Sequence, residues 1–185
     1  YDNDASPYTD EGMQGLANYA KKAAELYNYQ YGDYKLKYME MYNEWYTAAG
    51  DKGDGPADSS PENYIKVFRK MYETVKAAYP NMTMFLNIYP QETNSEGLLK
   101  LGGLNYCDGY AIHHYNYSLN KEDPENLECG LGITIDKTQD MIAKYNTNNK
   151  EMKFWLSEFG WPSVLVPEWA VQITEKEQAE YLVRG

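Results

Sequence analysis

The apolar and polar positions of this chain follow two alternating rhythms. Behind Thr9-Asp10-Glu11, residues 13–27 place Met13, Leu16, Ala17, Tyr19, Ala20, Ala24 and Tyr27 near helical spacing. The pattern predicts a helix over residues 9–28, capped by Thr or Asp. Residues 35–45 instead show two distinct sets at alternate positions and predict a strand. The stretch GDKGDGPADSS at 50–60 is a loop by composition. Ser60-Pro61-Glu62 then opens a helix to residue 78 carrying Ile65, Phe68, Met71, Tyr72 and Val75.

The second half repeats the alternation. MTMFLNIY at 82–89 is short and apolar and predicts a buried strand. A short helix around 96–101 precedes a strand over 106–115. A polar loop leads to a helix over 134–145, a strand over 154–159, and a helix over 174–183 that opens with the capping box Thr174-Glu175-Lys176-Glu177. Strands alternating with crossover helices imply a parallel sheet with helices on its faces, an α/β architecture.

Alternation along the third strand sets Cys107, Gly109, Ala111, His113 and Tyr115 against Asp108, Tyr110, Ile112 and His114. The small residues of the first set suit the crowded interior of a barrel, which aims His113 and Tyr115 inward at the strand's C-terminal end. The same logic groups Phe154, Leu156 and Glu158 on one face, and Tyr38, Glu40, Tyr42 and Glu44 on one face. Two glutamates therefore end two strands facing the same way. Active sites of parallel α/β folds lie at that end. A carboxylate pair across such a mouth is what glycosidic bond cleavage requires, one protonating the leaving oxygen and the other attacking or stabilising the anomeric carbon.

At these residues the chain resembles the clan A glycoside hydrolases, most closely the family 39-type retaining enzymes. Tyr38-Met39-Glu40-Met41-Tyr42-Asn43-Glu44 is similar to the strand-four signature, whose final Glu is the acid/base. Asp108-Gly109-Tyr110-Ala111-Ile112-His113-His114-Tyr115 resembles the strand-six segment, and Phe154-Trp155-Leu156-Ser157-Glu158-Phe159-Gly160-Trp161 resembles strand seven with the nucleophile. Gln178-Ala179-Glu180-Tyr181-Leu182-Val183-Arg184 is similar to the helix that follows it. Trp45 stands where the family usually has Pro, and His114 where Pro is common.

The resemblance implies a retaining double displacement, with Glu158 as nucleophile and Glu44 as acid/base. Asn43 would bond the substrate 2-hydroxyl, and Tyr115, with His113, would hold Glu158 ionised and aimed. It also implies a partial (β/α)₈ TIM barrel holding strands four to seven, one incomplete catalytic domain over 1–185. The length agrees, because a complete barrel takes about 250 residues and this chain has 185.

Other residues admit plainer readings. Glu40 is either a support for the catalytic centre or a buried carboxylate in need of a basic partner, one expected from the missing N-terminal strands. His113 and His114 face opposite sides of one strand, so they do not make a metal pair, and neither metal nor cofactor is expected. Trp45, Trp161 and Trp169, with Tyr46 and Tyr117, are candidate sugar-stacking platforms, of which Trp161 and Trp45 are favoured. Cys107 and Cys129 fall at opposite ends of the fold, which makes a bridge improbable.

Charge and composition narrow the partners. There are 17 basic and 28 acidic residues, for a net charge of −11, and Arg69 and Arg184 are the arginines. That balance argues against nucleic acid and anionic membrane surfaces. The lack of a long apolar run argues against a membrane span, and 43% hydrophobic residues argue against disorder. The chain starts at Tyr1, so a signal peptide would be removed or lie outside it, and a secreted or cell-surface location is expected. The competing reading is a non-catalytic carbohydrate-binding barrel or an inactive piece of a glycosidase. A nucleotide-binding doubly wound protein lacks its Gly-rich phosphate loop here.

Overall fold

The computed structural model describes residues 9–30, 37–47, 60–115, 130–163 and 173–184. The 50–59 stretch, Tyr117, Cys129 and Trp169 lie outside the described residues. The order of elements is α1 (Asp10–Gln30), β1 (Tyr38–Glu40), a 3₁₀ turn (Trp45–Thr47), α2 (Pro61–Ala78), β2 (Thr83–Asn87) and α3 (Thr93–Lys100). A second 3₁₀ turn (Gly103–Tyr106), β3 (Gly109–Tyr115), α4 (Leu131–Tyr145), β4 (Lys153–Gly160) and α5 (Glu175–Arg184) follow. The strands form one parallel sheet in the order β1-β2-β3-β4, curled as part of a TIM barrel with helices outside it.

Local chemistry sets the helix starts. Thr9 Oγ1 accepts from the Gly12 amide at 3.0 Å, and the Thr174–Glu177 box closes in both directions, at 2.7 and 3.1 Å. The outward face of the sheet carries Met84, Leu86 and Tyr110 into a core shared with Val67, Phe68, Met71 and Val75 of α2. Ala17, Ala20 and Ala24 of α1 join the same core, and their small side chains let the two helices approach closely. Asp108 fixes the start of β3, accepting from the Met84 amide, Lys76 Nζ and Tyr72 Oη at 2.9, 3.0 and 3.0 Å.

The inward face is crowded where the chain uses its smallest residue. A Cβ on Gly109 would fall 2.5 Å from the Lys153 carbonyl oxygen and 2.8 Å from the Phe85 ring. That space is filled by Tyr38, Phe85 and Trp155, whose ring centroids lie 5.1–6.1 Å apart.

Two strand readings change. The strand expected over 35–45 is regular only at Tyr38–Glu40. Met41 still donates to the Phe85 carbonyl at 3.0 Å, after which the chain bends. The bend lets the Trp45 indole enter the core against Tyr64 and Phe68 and donate to the Asn87 carbonyl at 2.8 Å. Glu44 sits on this bend with φ of 40°, not on a strand.

In β4, Phe154 and Leu156 do not share a face with Glu158. Phe154 packs on the outward-facing Tyr110, whereas Trp155 faces the interior with Phe85. The register then slips: Ile112 is opposite Leu156, but His113 is opposite Glu158, so Ser157 is an extra residue. A β-bulge resets side-chain parity, and it turns Glu158 inward.

Candidate active site

Six polar side chains meet at the C-terminal end of the sheet. His113, 3% exposed, lies at the centre, with Nδ1 2.9 Å from Glu44 Oε1 and Nε2 3.0 Å from Glu40 Oε1. Glu158 Oε1 lies 3.5 Å from the same Nε2. Tyr115, two residues along β3 and so on the same face, donates its hydroxyl to Glu158 Oε2 at 2.7 Å. Ser157 Oγ donates to Glu40 Oε2 at 2.5 Å.

Electrostatics decide the state of the histidine. Burial pushes its pKa down, but hydrogen bonds to Glu40 and Glu44 and the charges of Glu40 and Glu158 outweigh it and raise the value to about 9. His113 is therefore an imidazolium at neutral pH and donates from both nitrogens. Tyr46, buried on the adjoining 3₁₀ turn, has its phenol pKa pushed far up, first by burial and then by the charges of Glu44 and Glu40.

One atom each of Glu44, His113 and Glu158 lies within 4.8 Å of the others, a donor set of the size that holds a cation. Both imidazole nitrogens of His113 already face carboxylates of this chain, so the same groups also satisfy one another. The arrangement is an internal ion cluster.

The structure brings Glu44, Glu158, His113 and Tyr115 together, while Asn43 is exposed on the bend beside Glu44. Trp45 and Trp161 are corrections. Trp45 is 1% exposed and forms part of the core, so its face is closed to a sugar. Trp161 is also buried, edge-on to Phe159 and Tyr181 at centroid distances of 4.7 and 5.5 Å. Tyr46 is buried too, stacked on Tyr89. The basic partner expected for Glu40 from absent strands is His113, within the same chain.

The two histidines face opposite sides as expected: His114 lies by Thr134 of α4, with Nδ1 3.4 Å from Oγ1. Cys107 is a buried free thiol whose pKa burial pushes up to about 12.

Ser157 and Asn87 went unnoticed in the sequence. No residue type announces a bulge, which explains Ser157. Asn87 had a signal, a polar side chain inside an apolar strand. Its side-chain amide is fully buried and neither polar atom has a partner among the described residues, while its backbone carbonyl takes the Trp45 indole.

The fold is similar to that of known glycosidases. A glucosidase from Croceicoccus marinus superposes with a TM-score of 0.60 at 13% identity, over 92% of this chain and 34% of the other. A glycoside hydrolase family 39 β-xylosidase from Caulobacter crescentus gives 0.56 at 10% identity, over 84% of this chain and 31% of the other. The chain spans about a third of the length of these proteins. No family model matches it, nor does any curated protein sequence.

Proposed function

We propose that this chain is part of a retaining glycoside hydrolase that cleaves O-glycosidic bonds in an oligosaccharide or polysaccharide. The observation that carries the reading is the approach of Glu44 and Glu158, with one oxygen of each within 4.8 Å, at the C-terminal end of a parallel sheet. Retaining enzymes keep their carboxyls about 5–5.5 Å apart, and this oxygen approach is compatible with that spacing. The similar structures, a glucosidase and a β-xylosidase, fit carbohydrate as the substrate class.

In the first step Glu44 acts in its protonated acid form, with Oε1 still facing His113; a Glu158 oxygen attacks the anomeric carbon and forms an ester, as the leaving oxygen takes the proton of Glu44. In the second, Glu44 takes a proton from water, whose oxygen displaces Glu158 and restores both groups. The Tyr115 hydroxyl bond stabilises the charge on Glu158 before attack and after release. Asn43 is proposed to meet the 2-hydroxyl. A secreted or cell-surface location suits an enzyme whose substrate is a polysaccharide.

The second reading is a carbohydrate-binding or inactive piece of such an enzyme, favoured by a length about a third of that of the similar structures. Hydrolysis of a panel of aryl glycosides decides between them. The wild-type chain is expected to turn over at least one, and Glu158→Gln to abolish that turnover. Wild-type-like activity in the variant would overturn the assignment. No turnover by the wild type across the panel would favour the second reading.

A further inference from the structure

The reaction above gives Glu40 no step, yet it is the most buried carboxylate of the cluster. Its side chain is 17% exposed, against 35% for Glu44 and 37% for Glu158. Each of its oxygens has its own donor from a different strand: His113 Nε2 of β3 at 3.0 Å and Ser157 Oγ of β4 at 2.5 Å. A carboxylate held on both sides is a fixed anchor.

What it anchors is an imidazolium whose other nitrogen faces Glu44 at 2.9 Å. A ring bonded at both nitrogens cannot turn without breaking both bonds, so the Glu40 bond fixes where Nδ1–H points. The Nδ1 bond is one of the contacts that place Glu44. Glu44 lies on a bend at φ of 40°, in the left-handed region that non-glycine residues rarely occupy, so no regular strand aims it.

We propose that Glu40, itself fixed by Ser157, is a positioning residue for Glu44 that acts through His113. The proposal rests on the hydrolase reading of Glu44 and Glu158. The β4 bulge belongs to the same device, since the extra residue is the one that brings a hydroxyl to Glu40.

Two measurements on the whole chain test it. The first needs no substrate. His113 and His114 are the two histidines, so their imidazole signals can be followed by NMR through a pH titration. The groups facing His113 are Glu40 of β1, Glu44 of the bend and Glu158 of β4, with the Tyr46 phenol beside the same carboxylates. Glu40→Gln is expected to lower the His113 midpoint by about 1–3 pH units while His114 stays in place. Ser157→Ala, which keeps the charge, should lower it less.

The second measurement is aryl glycoside hydrolysis. Glu40→Gln should cut kcat on the order of 100-fold or less, with KM little changed, because a misaimed acid impairs the step and not the binding. Glu40→Asp, which retains the charge, should recover part of the loss. If Glu40→Gln does not fold, Ser157→Ala carries both readouts, with smaller effects in the same direction.

An unmoved His113 midpoint, or an unmoved kcat once His113 has moved, overturns the proposal. If His113 shifts as expected but the wild type hydrolyses no glycoside, the Glu40–His113–Glu44 link stands and the second reading, a binding or inactive piece of such an enzyme, is favoured.

Discussion

His113 ties the stability of the molecule to pH. Its folded-state pKa of about 9 exceeds the ordinary 6.5, so the folded state binds its proton more tightly than the unfolded chain does. The stability this lends is complete below about pH 6.5 and is lost as pH rises through about 9. Urea unfolding at several pH values should show a loss of up to about 3 kcal/mol across that window, and His113→Asn should remove most of the dependence. A flat wild-type profile would mean that the cluster does not hold the charge. At this scale the sequence was legible for chemistry and not for burial. His113, Tyr115 and both glutamates could be picked out by type and position. Trp45 could not, because an indole at the end of a strand serves equally as a platform or a core residue until its neighbours Tyr64 and Phe68 are known.

Each α-helix and strand was visible, but the two 3₁₀ turns and the exact faces of the strands were not. Small residues on one side of β3 correctly located the barrel interior, since Gly109 sits where backbone and ring approach most closely. Gly109→Ala should therefore cost about 1–3 kcal/mol, because the clash is with the Lys153 carbonyl, which cannot swing aside. Chemical denaturation with an unchanged slope and a lowered midpoint would confirm it; wild-type stability would contradict the close approach. The β4 reading failed and reached the right destination for Glu158 all the same. Alternation grouped it with Phe154 and Leu156, which face outward, and the bulge at Ser157 then turned it inward. Strict period-two reasoning cannot see such an insertion, because one residue's slip reverses every face beyond it. The β1 strand is shorter than expected because the chain bends after Met41, and that bend carries Trp45 into the core.

At the scale of the whole molecule, four parallel strands bring residues 114 and 118 positions apart into one cluster, Glu158 against Glu44 and Glu40. The motif order could be read along the chain, but it is the sheet order β1-β2-β3-β4 that brings the bend carrying Glu44 and the strand carrying Glu158 to one histidine of β3. Among the described residues no helix is long and apolar enough to cross a membrane. The central claim is that Glu158 forms a covalent bond to sugar, and a trapping experiment tests it most directly. An activated 2-deoxy-2-fluoro glycoside slows breakdown of the intermediate more than its formation, so the adduct accumulates for mass spectrometry. The account predicts one added sugar per chain, on the peptide that carries Glu158. Turnover of the unsubstituted glycoside with an adduct on a different residue, or with none, would contradict it.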